Sequence, residues 1–167
     1  MKTIQVPCAI SGRHVHLSHK DYTAYTSEHG EVTKKRDLSQ GEHWAANQKV
    51  IAYGLPFTIV MPPREETAYE LSLSDAKAHG VPFQYGTGLF QIKRRHLHCP
   101  EVSARELGIK DGDTVSLRKV GVRGGTYDDI LVRVDPWATV LEFHLDTDEA
   151  NALNIKNGDM VDLVIGQ

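Results

Sequence analysis

One short motif occurs twice in the chain and carries its most specific chemistry: Arg13-His14-Val15-His16 and Arg95-His96-Leu97-His98. Each copy places two imidazoles two residues apart, directly after an arginine. In an extended strand, side chains i and i+2 leave the same face, roughly 6.5–7 Å apart along the strand. Two imidazoles at that spacing can converge on one cation, whereas on a helix they diverge. A lone His-x-His in a strand is ordinarily a surface or core feature. Four of the nine histidines fall in these two matching copies, however, and that concentration points to metal binding.

The elements that must hold the motifs are short and numerous. Residues 2–10 read as a strand, with Pro7 marking an edge or a bulge. Ser18 opens a helix with Asp21 three residues on, and Gly30 stops it. The first motif therefore sits at a strand-to-helix junction. Residues 31–48 read as polar and irregular. Residues 49–61 read as a hairpin broken at Gly54-Leu55-Pro56. Residues 67–73 alternate, with Tyr69, Leu71 and Leu73 on one face and Glu70 on the other, where Glu70 is either a solvated carboxylate or a ligand. Residues 74–79 predict a short helix ended by Gly80. Residues 89–98 predict one strand carrying the second motif, and a helix follows over 100–107, with proline in its first turn and Gly108 past its end. Strands follow over 114–120, 130–134, 139–145 and 160–165. In the third of these, Glu142 and His144 share the face opposite Leu141 and Phe143. Asp146 caps a short helix with Glu149 three residues on. A second repeat is visible: 107–117 (LGIKDGDTVSL) matches 153–163 (LNIKNGDMVDL), each a helix end, a tight turn and an alternating strand.

This pattern argues for a mainly β fold of small barrels, not a doubly wound parallel sheet. Two barrels would divide near 82–90, giving domains at 1–85 and 86–167, with the N-terminal strand able to swap between them. The 167 residues, 40% hydrophobic and 25% charged, suit one domain or two small ones. A net charge of −3 without a basic run excludes nucleic acid and anionic membrane as obvious partners. No apolar stretch approaches the ~20 residues of a membrane helix. The two cysteines, Cys8 and Cys99, form no disulfide framework, and the expected location is the cytoplasm. Cys99 reads as a small buried residue in preference to a spare thiol beside a metal.

Several segments together resemble the PduL-type phosphate propanoyltransferases: Ser11-Gly-Arg-His-Val-His-Leu-Ser18, Arg36-Asp-Leu-Ser-Gln40, Pro63-Arg64 through Glu70, Arg95-His-Leu-His98, Asp111-Gly-Asp113 and His144-Leu-Asp-Thr-Asp-Glu-Ala-Asn151. The resemblance runs from about residue 4 to residue 163. It implies two β-barrel domains capped by short helices, with a site at their interface, and transfer of a short acyl group, propanoyl or acetyl, between coenzyme A and inorganic phosphate. It also implies two zinc ions per chain, one held by His14, His16 and Glu70, the other by His96, His98 and His144. Arg64 resembles the family's phosphate-site arginine, and Ser11, Arg36 and Asn151 fall at coenzyme A contacts. Arg133 is a weaker match to the anion site. Three protein ligands per zinc with one open position is the catalytic pattern, and two such sites would carry about +3 of charge and attract anions. A two-metal hydrolase of a phosphate ester or thioester fits less well, because such sites use several bridging carboxylates. A non-catalytic zinc-binding module fits less well because it would use closed ligand sets. Arg13 and Arg95 either pair structurally with backbone or carboxylates or serve the site. The segment before the second motif is shorter than the family's, Ala68 replaces a glutamine, and Lys93-Arg94-Arg95 and Cys99 stand where small residues and a methionine are usual. These changes bear on acyl preference. The chain begins almost at the first barrel, without the N-terminal segment of members destined for bacterial microcompartments. A free cytoplasmic enzyme is therefore expected, with packaging through a partner and a homo-oligomer left open.

Overall fold

A computed structural model describes residues 2–166. The chain up to Ser11 and from Arg94 onward forms one compact unit; Gly12–Lys93 forms the other. The elements run β1 (Lys2–Ser11), β2 (His14–His16), α1 (His19–His29), β3 (Lys34–Asp37), β4 (Trp44–Ala52), β5 (Leu55–Met61), β6 (Ala68–Glu70), α2 (Leu73–His79), β7 (Gln84–Tyr85) and β8 (Phe90–Ile92). They continue with β9 (His96–Cys99), α3 (Glu101–Leu107), β10 (Thr114–Lys119), β11 (Gly125–Val134), β12 (Glu142–Asp146), α4 (Thr147–Ala152) and β13 (Met160–Ile165). The fold is mainly β with short helices, as the sequence implies.

The unit containing β1 is a closed six-stranded barrel in the order β1-β12-β9-β11-β10-β13. Val6, Leu97, Leu117, Ile130, Phe143 and Leu163 fill it, each at most 1% exposed, and each such side chain stabilises the fold by about 1.5–3 kcal/mol. The repeat seen in the sequence is an internal two-fold of this barrel. Lys110 N–H donates to Asp113 Oδ2 and Lys156 N–H to Asp159 Oδ2, both at 2.9 Å. Gly112 and Gly158 take left-handed φ of 83° and 87°, which a side chain would oppose. Each turn then clips a strand in the same way: Val132 N–H donates to Asp113 O, and Cys8 N–H to Asp159 O. The spacing of 46 residues that relates the turns also relates His98 to His144.

The other unit holds a seven-stranded sheet, β3-β4-β5-β2-β6-β8-β7. Its core face carries Val15, Phe57, Ile59, Tyr69 and Phe90, with the Tyr69 and Phe90 rings stacked at 4.7 Å. Three local expectations are corrected. Residues 31–48 are not irregular: β3 and the start of β4 pair there, Lys34 opposite Ala46 and Asp37 opposite Trp44, so that pairing overrides the polar composition. The β4–β5 turn is Tyr53-Gly54, both at positive φ, while Leu55 and Pro56 already pair with Ala52 and Ile51. The strand expected over 89–98 is two, β8 and β9, and they join different sheets. The break falls at Lys93-Arg94-Arg95, three consecutive cations. No helix among the described residues is long and apolar enough to cross a membrane.

Candidate metal and anion sites

In the sheet unit, β2 pairs with β6 antiparallel, His14 opposite Glu70 and His16 opposite Ala68. Val15 is fully buried on the core face, so alternation turns His14, His16 and Glu70 to the opposite face. Their ligand atoms meet there. His14 Nε2 lies 3.2 Å from Glu70 Oε2, and His16 Nε2 lies 3.9 Å from Glu70 Oε1. His14 Nδ1 contacts the Gly12 carbonyl at 2.9 Å. A carbonyl only accepts, so Nδ1 carries a proton, and in the neutral ring Nε2 has the lone pair. Burial disfavours the charged form of His14, yet the Glu70 carboxylate, through its charge and hydrogen bond, raises the His14 pKa above the ordinary 6.5. His16 is pushed down to about 2 by burial, then by the charges of His14 and Arg64. For Glu70 burial works against the charge, but His14, Lys93 and His16 hold it well below the usual carboxylate range.

In the barrel unit, β9 and β12 pair antiparallel, with His96 opposite His144. Leu97, Cys99, Phe143 and Leu145 point into the barrel, which places His96, His98 and His144 on the other face. His96 Nε2 lies 3.1 Å from His98 Nε2, and that atom lies 3.2 Å from His144 Nδ1. His96 Nδ1 donates to the Arg94 carbonyl at 2.9 Å, repeating the His14 arrangement. At these distances the three ring nitrogens are close enough either to share a proton or to converge on one cation. Tetrahedral zinc at its usual bond lengths sets ligand nitrogens about 3.3 Å apart, so the donor set fits the ion. Both trios are groups that could hold a metal.

The other expected residues are placed as follows. Arg64 follows β5, bridges Ser18 at the N-cap of α1, and receives a backbone hydrogen bond to its carbonyl from His19 N–H at 3.0 Å. It is exposed and acts electrostatically on His14 and His16. Arg36 is exposed on β3. Arg133 on β11 is the register partner of His98, so it shares that face, with Asp135 3.6 Å away. Ser11 ends β1 opposite Asp146. Asn151 is exposed on α4. The structure thus gathers the six expected ligands into two trios and sets Arg133 beside the second; Arg36 and Asn151 lie on exposed surface of their elements.

The paired arginines of the motifs are structural. Arg13 Nη1 bonds Asp75 Oδ2 at 2.8 Å, in the first turn of α2. Arg95 bonds Asp129 Oδ1 at 2.6 Å and Glu149 Oε1 at 3.0 Å, and lies over the Tyr127 ring at 4.3 Å. Cys99 is buried on the core face, opposite to His98, with its thiol pushed up to about 11 by burial, so it cannot serve as a ligand there. Sequence reasoning missed three neighbours. His43 stands edge-on to His16 at 6.5 Å, Trp137 lies 6.1 Å from His98, and Lys93 Nζ lies 3.6 Å from Glu70 Oε1. Lys93 was visible as a departure from the pattern before the second motif; the other two sit in loops or at strand starts without periodicity.

A family model described as phosphate propanoyltransferase matches residues 7–88 and 83–156. A phosphate propanoyltransferase of Rhodopseudomonas palustris is 30% identical over 184 residues, covering 94% of this chain and 81% of its own. One from Lachnoclostridium phytofermentans is 32% identical, covering 95% and 87%. One from Priestia megaterium is 35% identical, covering 92% and 83%.

Proposed function

We propose, because the chain belongs to the phosphate propanoyltransferase family and is therefore a phosphate acyltransferase, that it moves a propanoyl or acetyl group between coenzyme A and inorganic phosphate with the help of two zinc ions. The observation that carries this reading is the convergence of His14, His16 and Glu70, and of His96, His98 and His144, on two points of ligand geometry. When bound, zinc supplies Lewis acidity toward carbonyl and phosphoryl oxygens and favours a thiolate.

The chain's own groups do the rest. Carbonyls of Gly12 and Arg94 fix the Nδ1–H tautomers of His14 and His96 and aim their Nε2 lone pairs outward. Arg64 holds the phosphate in a forked, charge-assisted contact. In the sheet unit Arg36, and in the barrel unit Ser11 and Asn151, contact coenzyme A, with Arg133 adding positive charge beside His98. In the direction of thioester synthesis, the thiol loses its proton, sulfur bonds to the acyl-phosphate carbonyl carbon, the carbon–oxygen bond to phosphate breaks, and the departing phosphate takes a proton. No protein nucleophile is needed, and the two thiols of the chain are buried.

The test is thioester formation from propanoyl or acetyl phosphate and coenzyme A, with metal content determined on the same sample. Turnover with about two zincs per chain, lost on chelation and restored by zinc, is expected. Hydrolysis of the acyl phosphate without thioester would replace the reading with a two-metal hydrolase. Absence of bound metal in an active enzyme would remove zinc from it.

A further inference from the structure

We propose that Lys93 is a positioning residue of the first trio: its ammonium neutralises Glu70 until a metal takes that carboxylate, and then docks the phosphoryl dianion of the reactant. This rests on the phosphate acyltransferase reading.

Lys93 Nζ lies 3.6 Å from Glu70 Oε1, and that same oxygen lies 3.9 Å from His16 Nε2. A metal held by the trio and the ammonium therefore share one carboxylate, whose other oxygen faces His14 Nε2 at 3.2 Å. Two cations on one carboxylate repel each other. The lysine side chain is 32% exposed against 12% for Glu70, and its stem is flexible, so the lysine yields and the carboxylate stays. An anion arriving beside the trio then offers Lys93 a new partner.

Two further features favour a phosphoryl group. Arg64 and Lys93 bracket the trio. The arginine stands beside Ser18, beyond His16 on β2, and the lysine follows β8, whose Gln91 is the register partner of Glu70. Gln91 is 6% exposed, and its Nε2 donates to the Gly88 carbonyl at 3.3 Å. Its Oε1 is buried without a donor. The P–OH of hydrogen phosphate supplies such a donor together with the negative charge that Lys93 requires, and an acyl phosphate dianion supplies the charge alone. The phosphoryl group can belong to inorganic phosphate or to the acyl phosphate, which are the reactants of opposite directions.

The experiment compares wild type with Lys93→Met and Lys93→Arg in both directions of the reaction, and titrates zinc into the metal-free proteins without phosphate. In K93M the KM values for phosphate and for acyl phosphate are expected to rise about tenfold or more, with those for acyl-CoA and CoA within about twofold. K93R is expected to recover most of the loss. One of the two zinc sites should tighten several-fold in K93M, because a like charge has gone. A rise for phosphate alone, or for acyl phosphate alone, keeps the proposal and names the reactant that Lys93 docks. Unchanged values for both, or loss of zinc from K93M, overturns it. An inactive wild type would sink the functional reading instead. The zinc titration would then still decide the first half of the proposal, and no tightening would refute it.

Discussion

The two trios are built by the same device on different sheets. In each, a His-x-His strand lies antiparallel to a strand carrying the third group, and the first histidine is that group's register partner: His14 with Glu70, His96 with His144. In each, the first histidine spends Nδ1 on the carbonyl two residues earlier. In each, the preceding arginine is tied to an acidic residue in the first turn of a helix. They differ in charge. The first trio has a carboxylate and gathers Lys93 and the field of Arg64 around it; the second is made of three imidazoles. The antiparallel pair with a shared face is thus what makes a trio, and the third residue then decides how much positive charge the surroundings can carry.

The sharpest way to break this equivalence is to remove one imidazole from each trio. His96→Ala and His14→Ala should each lower bound zinc from about two per chain to about one. Each should cut turnover by about a thousandfold or more, since a Lewis acid contributes several kcal/mol. Metal analysis and steady-state rates check this, and full activity in either variant would mean that its trio is not part of the reaction. Next in size, Arg64→Ala should raise the phosphate KM by about ten- to a hundredfold with little change for acyl-CoA. A change confined to acyl-CoA would move Arg64 to the coenzyme.

The arginine clamps give a smaller, purely structural comparison. Arg95 makes two ion pairs and lies on Tyr127, whose hydroxyl donates to the Glu149 carbonyl at 2.9 Å. Arg13 makes one ion pair and a long contact to the Pro56 carbonyl, 3.4 Å. Arg95→Met should cost about 2 kcal/mol of stability and Arg13→Met about 1 kcal/mol, measured by urea denaturation. The reverse order would show that α2 leans on its clamp more than α4 does.

Much of this is legible in the sequence. Alternation put His14 and His16, and His96 and His98, on single faces, and Asp146 with Glu149 closes the capping box that the spacing implies. Met160–Ile165 forms the last strand as read. The repeat was legible because its Asp-Gly and Asn-Gly turns are fixed locally by an aspartate accepting from the backbone three residues earlier. What failed depends on distant partners. β3 is polar and fully exposed, and it is a strand because β4 supplies its hydrogen bonds. The break between β8 and β9 has no turn residue to announce it, and the chain changes sheets there. Glu70 was recognisable as standing off the apolar face, but the register that sets it opposite His14 is a long-range fact. The same holds for Lys93, whose partner lies on another strand.

The smallest effect concerns protons at the first trio. In the metal-free protein, burial lowers the pKa of His14, and the Glu70 carboxylate more than offsets this. Removing the charge by Glu70→Gln leaves burial in command. The imidazole should then titrate below the ordinary 6.5, where the wild-type ring titrates above it; NMR titration of the metal-free proteins measures both. The consequence for metal follows in sign. A proton on Nε2 must leave before a metal can bind, so affinity at the first trio is fully present above the His14 pKa. It falls as pH drops through that value, by about tenfold per pH unit for one proton. Because the value is raised, the decline begins above pH 6.5, earlier than for an isolated imidazole. The carboxylate that adds a ligand thus also strengthens the proton that competes for it. The second trio has no carboxylate among its three ligands, and the buried Glu142 is the register partner of His98. If Glu70→Gln leaves the His14 titration where it was, the difference in charge between the trios has no bearing on how they exchange protons for metal.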